Sequence, residues 1–178
     1  MPLHELCPPY QSTATLSWPD TAGPLLPAIR QNVSHPVAAY VFVDAGIPKD
    51  CESHLDLMAS QDPEFSREFC RYLESGRRFP NWSNEDLEEQ IPDARFRRMV
   101  IEEFRPLPLA YFEETIPVFD GWPDAACAYL KFSSAYDVPA EREREAGWAY
   151  LGMKEGHLHM LVDPPAVAEA LIELVRRA

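Results

Sequence analysis

Cys127-Ala-Tyr-Leu-Lys-Phe-Ser133, then Pro139-Ala-Glu-Arg-Glu-Arg-Glu-Ala146, then Trp148-Ala-Tyr-Leu-Gly-Met153, is the stretch that decides the fold class. Its outer segments are short apolar runs with aromatic residues, the pattern of buried strands. The middle segment is charged, starts at a proline and is closed by Gly147 as a C′ residue, the pattern of a helix. This predicts a strand, helix, strand unit and hence an α/β domain. Upstream, Ala38-Ala-Tyr-Val-Phe-Val-Asp44 predicts a third buried strand, punctuated behind by Gly46 and Pro48. Downstream, Asp163 caps and Pro164 opens a terminal helix in which Val167, Leu171, Leu174 and Val175 recur at helical spacing. Arg176 and Arg177 fall at its negative end, and its apolar face is expected to pack on the sheet.

Residues 50–124 have a different texture: helical, acidic and rich in bulky aromatics. Asp62 and Pro63 open a helix with Phe65, Phe69, Tyr72 and Leu73 on one face, ending near Gly76. Phe96, Met99, Val100 and Phe104 mark another, broken before Pro106 and Pro108, and Ser83-Asn-Glu-Asp86 between them has capping-box spacing. The segment is expected to be a helical insertion, in the place where many enzymes keep a substrate-covering lid. Residues 1–24 are expected to be irregular.

The 178 residues fit one domain, since about 100–200 residues per domain is usual. Hydrophobic residues at 46% and charged residues at 25% exclude a disordered chain, and no apolar run is long enough to span a bilayer. Acidic residues outnumber basic ones 29 to 16, and no Lys/Arg block offers a footprint for phosphates, so nucleic acid and anionic membranes are poor partners. Met1-Pro-Leu-His-Glu-Leu6 has no basic n-region leading to an apolar h-region, which points to the cytoplasm. Cys7, Cys51, Cys70 and Cys127 are widely spaced with no C-x-x-C and read as free thiols, Cys70 and Cys127 as core residues.

Chemistry-bearing residues collect where strands end. His157 follows Gly156 on a strand-to-helix loop, a placement suited to a general base, and His159 is not expected to be that base. Ser133-Ser-Ala-Tyr-Asp137 ends the preceding strand, so an acid and a histidine emerge at carboxyl ends of neighbouring strands, where open α/β sheets build sites. Asp137 there either holds the imidazole tautomer or, before Pro139, caps the following helix. Asp44, at the end of its own strand, is an alternative acid or a loop cap. His157-x-His159 and Cys51-x-x-His54 put potential ligands near one another, but the spacing matches no metal signature; neither a metal nor a cofactor is implied.

On these residues the chain from about Leu25 onward resembles the C-terminal part of an α/β-hydrolase. Leu25-Leu-Pro-Ala-Ile29 is similar to the start of the helix behind the nucleophile, Tyr40-Val-Phe-Val-Asp-Ala-Gly46 to the next strand, Tyr129 to Asp137 to the acid-bearing strand and loop, and Gly156-His157 to the loop before the final helix. The resemblance implies His157 as catalytic base, Asp137 as orienting acid and residues 50–124 as the cap. It implies a truncated hydrolase-like sheet of about three recognisable strands, flanked by helices.

The family's G-x-S-x-G elbow is missing from this sequence. Counting back from Leu25 gives Trp18-Pro-Asp-Thr-Ala22, with Asp20 where the serine belongs and both glycines replaced. Three accounts stand: a shortened or degenerate hydrolase; Asp20 as a carboxylate nucleophile forming an aspartyl ester that His157-activated water cleaves; or Ser17, Ser133 or Ser134 attacking from another turn. The functional expectation is therefore an esterase-like protein acting on an ester or similar acyl bond of a small molecule, with Tyr40, Phe42, Trp82 and Trp122 as candidate pocket walls. The alternative is a non-catalytic remnant or binding protein. A short sheet with open edges also predicts a homodimer or a partner chain covering them.

Overall fold

A computed structural model describes residues 14–178, with 14–20 described by their backbone alone. Four parallel strands form one sheet in the order β1-β2-β3-β4: β1 (Ala14–Asp20), β2 (Val37–Ala45), β3 (Ala126–Lys131) and β4 (Ala149–Gly152). Helix α1 (Leu26–Gln31) joins β1 to β2. Four helices lie between β2 and β3: α2 (His54–Gln61), α3 (Pro63–Glu74), α4 (Ala94–Glu103) and α5 (Leu109–Glu113). Helix α6 (Asp137–Glu145) joins β3 to β4, and α7 (His159–Val162) and α8 (Pro164–Arg177) follow.

The α/β class and the helix-flanked sheet read from the sequence are present, with one strand more than expected. Residues 14–20 are β1 rather than irregular chain, while residues 1–13, with Cys7, lie outside the described residues. Thr15-Leu-Ser-Trp-Pro19 lacks a continuous apolar run and contains a proline, which a central strand would not tolerate. It pairs nonetheless because it sits at one end of the described sheet beside β2, the most apolar strand in the chain.

Parallel strands covered on both faces must be apolar on both, which is why β2 reads as a nearly unbroken hydrophobic run. Its alternate residues go to opposite layers. Val41 and Val43 pack with Ala128, Leu130 and Phe132 against Val167, Ala170 and Leu174 of α8. Tyr40 and Phe42 pack with Cys127 and Tyr129 against Leu26 and Ala140 on the other face. Asp163 caps α8 by accepting from the Ala166 N–H, as its sequence implied.

The segment between β2 and β3 has a small core of its own, Phe69, Leu73 and Phe112, with Phe79 set edge-on to Phe69. Asp62 caps α3 through the Glu64 and Phe65 N–H groups. Ser83 and Asp86 make their reciprocal capping bonds, yet the residues that follow form turns, not a helix. Buried Arg97 of α4 holds that turn region, its guanidinium donating to the carbonyls of Ile91 and Pro92 and to Asn84. No helix among the described residues is long and apolar enough to cross a membrane.

Candidate functional site

The site begins with an irregularity in pairing. Along β1 and β2, Pro19 faces Val43 and Asp20 faces Ala45, so Asp44 is the extra residue of a bulge. Its φ of 45° is left-handed, a conformation that Asp tolerates better than β-branched residues do. Tyr129 on β3 clamps the distortion: its hydroxyl accepts from the Ala45 N–H at 3.1 Å and donates to the Ala45 carbonyl at 2.6 Å. Burial pushes that phenol's pKa well above its ordinary value, so it remains a donor. Gly23 fits the same corner from the β1 side, since a Cβ there would come within 2.5 Å of the Gly46 carbonyl oxygen.

The bulge turns the Asp44 carboxylate inward, where it is 0% exposed. Four donors meet it: the backbone N–H groups of Phe132 (2.8 Å) and Ser133 (2.9 Å) on Oδ1, and Ser133 Oγ (2.6 Å) and His157 Nδ1 (2.8 Å) on Oδ2. His157 comes from the loop after β4. Its side chain is 17% exposed, and its ring stacks at 5.6 Å on Tyr136. A proton on Nδ1 directed to Asp44 places the basic lone pair on Nε2, the arrangement of a positioned general base.

His157 stands in the wall of a cavity of about 470 Å³. The sheet side supplies Thr21, Gly46, Ser133 and Tyr136; the helical segment between β2 and β3 supplies Leu57, Phe65, Phe69, Phe79 and Trp82. The wall is largely apolar and aromatic, suited to a small organic ligand. Phe65, expected on the buried face of α3, is 53% exposed and lies on this wall.

Several sequence-derived candidates fall elsewhere. Asp137 does not orient His157; it forms an ion pair with Lys131, and as the first residue of α6 it makes no cap through its side chain. That carboxylate raises the Lys131 pKa. Tyr40 and Phe42 are fully buried in the sheet core and Trp122 packs on Tyr40 at 4.4 Å, so of the four proposed wall aromatics Trp82 alone faces the cavity. The pleat explains this: residues at alternate positions of a strand covered by helices enter the layers between. At the other end of β2, Tyr40 donates to Asp124 at 2.5 Å and Arg30 pairs with the same carboxylate at 2.9 Å. Tyr40's hydrogen bond is the main reason the Asp124 pKa is lowered.

Asp20 ends β1, directly before the cavity residue Thr21, and its side chain lies outside the described residues, as does that of Ser17. Ser133 is engaged with Asp44. Ser134 opens a 3-10 turn, Ser134–Tyr136. His159 is set against Phe132, 3.6 Å from Glu155. No group of three or more potential metal-binding residues occurs among the described residues. Cys51, Cys70 and Cys127 are free thiols; Cys70 is half-buried rather than core, and burial pushes Cys127 up to about 12. Asp44 was legible as the lone charge ending a fully apolar strand; Tyr129 left no signal, its hydroxyl being one of many within apolar runs.

No family model and no curated protein matches this sequence. Among solved structures, an extracellular alpha/beta-hydrolase from a Paenibacillus species, described as structurally and functionally homologous to tobacco salicylic acid binding protein 2, superposes with a TM-score of 0.64. It is 17% identical, over 90% of this chain and 71% of its own. Polyneuridine aldehyde esterase superposes with a TM-score of 0.58 at 15% identity, over 94% of this chain and 73% of its own. The chain therefore has the α/β-hydrolase fold.

Proposed function

We propose that this α/β-hydrolase-fold chain is an esterase-like hydrolase, cleaving an ester or similar acyl bond of a small, largely apolar molecule with His157 as general base. The observation that carries the reading is the 2.8 Å bond from His157 Nδ1 to the buried Asp44, at the wall of an aromatic cavity. Water that gives its proton to Nε2 adds to the acyl carbon. As the tetrahedral oxyanion collapses, the imidazolium returns that proton to the departing alkoxide, so acid and alcohol leave and the base is restored. Asp44 is the positioning residue for the ring.

Asp20 offers a covalent version of this chemistry. Its carboxylate displaces the substrate's carboxylate at the saturated alkoxy carbon, forming an aspartyl ester. Water deprotonated by His157 then cleaves that ester, and the proton goes to the leaving alkoxide. A second reading, a binding protein without turnover, is favoured by Pro19-Asp-Thr-Ala22 in place of a glycine-flanked serine.

The test is hydrolysis of a short-chain p-nitrophenyl ester and of an alkyl ester, methyl phenylacetate, by the protein beside His157→Ala and Asp20→Asn; only the alkyl ester has the saturated alkoxy carbon that the Asp20 route needs. A positioned base contributes about 100- to 10,000-fold, so His157→Ala should bring the rate to background. Asp20→Asn does the same only on the covalent route. Equal, near-background rates in all three proteins would sink the hydrolase reading and leave the binding one.

A further inference from the structure

A second cavity, of about 220 Å³, lies against the one that holds His157. The two share Leu57 and Gln61 of α2, and the chain passes from one wall to the other at two more places: from Gly46 to Ile47 after β2, and from Tyr136 to Val138 at the start of α6. Three segments therefore line both, and together the cavities form one groove leading from His157 between α2 and α6. Its sides are apolar where they meet solvent. Phe65 on the first wall is 53% exposed and Val138 on the second is 59% exposed, two of the five large hydrophobic side chains that stand in water among the described residues.

The end away from His157 is basic. The charged residues of the second wall are Lys49 and Arg142, in a chain of net charge -13. Lys49 pairs with Glu52 at 3.3 Å and Arg142 with Glu143 at 2.5 Å, but neither carboxylate belongs to the wall, so the groove meets the cationic end of each pair. Arg142 commits Nε and Nη2 to Glu143, which leaves Nη1 a donor without a partner among the described residues. On the first wall the one carboxylate is Asp62, whose side chain is tied to the start of α3.

We propose that the groove takes an elongated ester whose apolar body lies along the aromatic cavity and whose far end carries an anion, carboxylate or phosphate, bound by Lys49 and Arg142. This rests on the cavity being the ligand site under the hydrolase reading, and it adds the chemical class of the ligand. The aromatic wall supplies affinity without selectivity. The two cations supply the selectivity, because hydrogen bonds between charged partners are stronger than neutral ones and an uncharged end group cannot replace the water that the cations give up.

The experiment is calorimetric titration of monomethyl adipate, suberate and sebacate, of the matching dimethyl esters, and of methyl esters of equal length that end in a phosphate, in a His157→Ala background that keeps the esters intact. At least one anionic probe should bind about tenfold or more tightly than the dimethyl ester of its length, as charge-assisted contacts to two cations imply. The tighter of the carboxylate and phosphate series identifies the end group. Lys49→Gln and Arg142→Gln should each lower the ratio, and the double substitution should bring it close to one. Part-exposed ion pairs contribute little to folding, so these variants should fold, and thermal melts report whether each does. Equal binding of anionic and dimethyl probes, or an anion preference unchanged in every folded variant, would overturn the proposal. Absence of binding by every probe would overturn it together with the cavity reading. Turnover of the test esters is a separate measurement, so failure of catalysis and failure of anion recognition are told apart.

Discussion

Asp44 and Asp137 stand at comparable places, one at the carboxyl end of β2 and the other shortly after the carboxyl end of β3 in the same parallel sheet, and they end in opposite roles. Asp137 is half out in solvent and pairs with Lys131, the last residue of β3. Asp44 is sealed from solvent and gathers four donors, one of them His157. The difference lies in the backbone. β3 ends regularly and runs through a 3-10 turn into α6, which leaves Asp137 on the outer face of a helix start. β2 ends in a bulge with a left-handed residue, which redirects one side chain from the pleat toward the neighbouring strand ends. A carboxylate's place in the chain names the candidates, and the local geometry selects between them.

The largest effect should come from breaking the favoured carboxylate. Asp44→Asn places an amide where His157 needs an acceptor, and the wrong tautomer follows; in a comparable triad this loss is about 10,000-fold in kcat. Initial rates on the ester substrate across pH check it, because loss of a positioned base changes the pH profile as well as the rate. Asp137→Asn should change the rate by less than about twofold, since exposed ion pairs contribute only about 0–1 kcal/mol. Equal losses in the two variants would end the distinction.

Next in size is stability. Asp44→Ala leaves two backbone N–H groups and the Ser133 hydroxyl without their acceptor, and unpaired buried groups cost about 1–3 kcal/mol each. Urea unfolding should register a loss of several kcal/mol by the same accounting, against less than about 1 kcal/mol for Asp137→Ala. Tyr129→Phe sharpens the comparison from the side of the clamp. It removes both hydrogen bonds to Ala45 and should cost about 1–3 kcal/mol, with a fall in kcat and little change in KM if the bulge relaxes.

The smallest effect concerns the opposite end of β2. There Asp124 is held by Tyr40 and Arg30, and its pKa is lowered, chiefly by the Tyr40 hydrogen bond. A carboxyl whose folded pKa lies below its unfolded value stabilises the fold above the unfolded value and loses that contribution as pH falls through the folded one. Acid titration of stability should therefore show a shallower loss below the usual carboxylate range in Tyr40→Phe than in the parent chain. A superimposable acid limb would show that Tyr40 makes no difference to Asp124.

Much of the fold was legible because burial on both faces of a parallel sheet leaves a mark on every residue of a strand. β2, β3 and β4 and the Pro-opened helices α3 and α8 carry such marks, in apolar runs and in Asp-Pro starts. β1 carries none, because one apolar neighbour suffices to hold a strand at the end of the described sheet. For the site, Gly156-His157 was legible as a strand-to-helix loop with two candidate acids, Asp137 and Asp44, because each carboxylate stands near the carboxyl end of an apolar strand; only the hydrogen bond to His157 separates them. The aromatic walls divide in the same way. Tyr40 and Trp82 are both large and amphipathic, and only their place in the fold puts one in the core and the other at the cavity.

By itself the sequence determined the alternation of strands and helices, the helical character of the stretch between β2 and β3, the histidine loop and the lack of a G-x-S-x-G motif in these 178 residues. Those properties are local, written in periodicity, caps and spacing. The tertiary structure alone decided that Asp44 meets His157 across 113 positions of chain, that Tyr129 locks the bulge, and that Lys49 and Arg142 share one wall. Pairing register and side-chain direction at a bulge depend on neighbouring strands that are remote in the chain, and no local pattern records them.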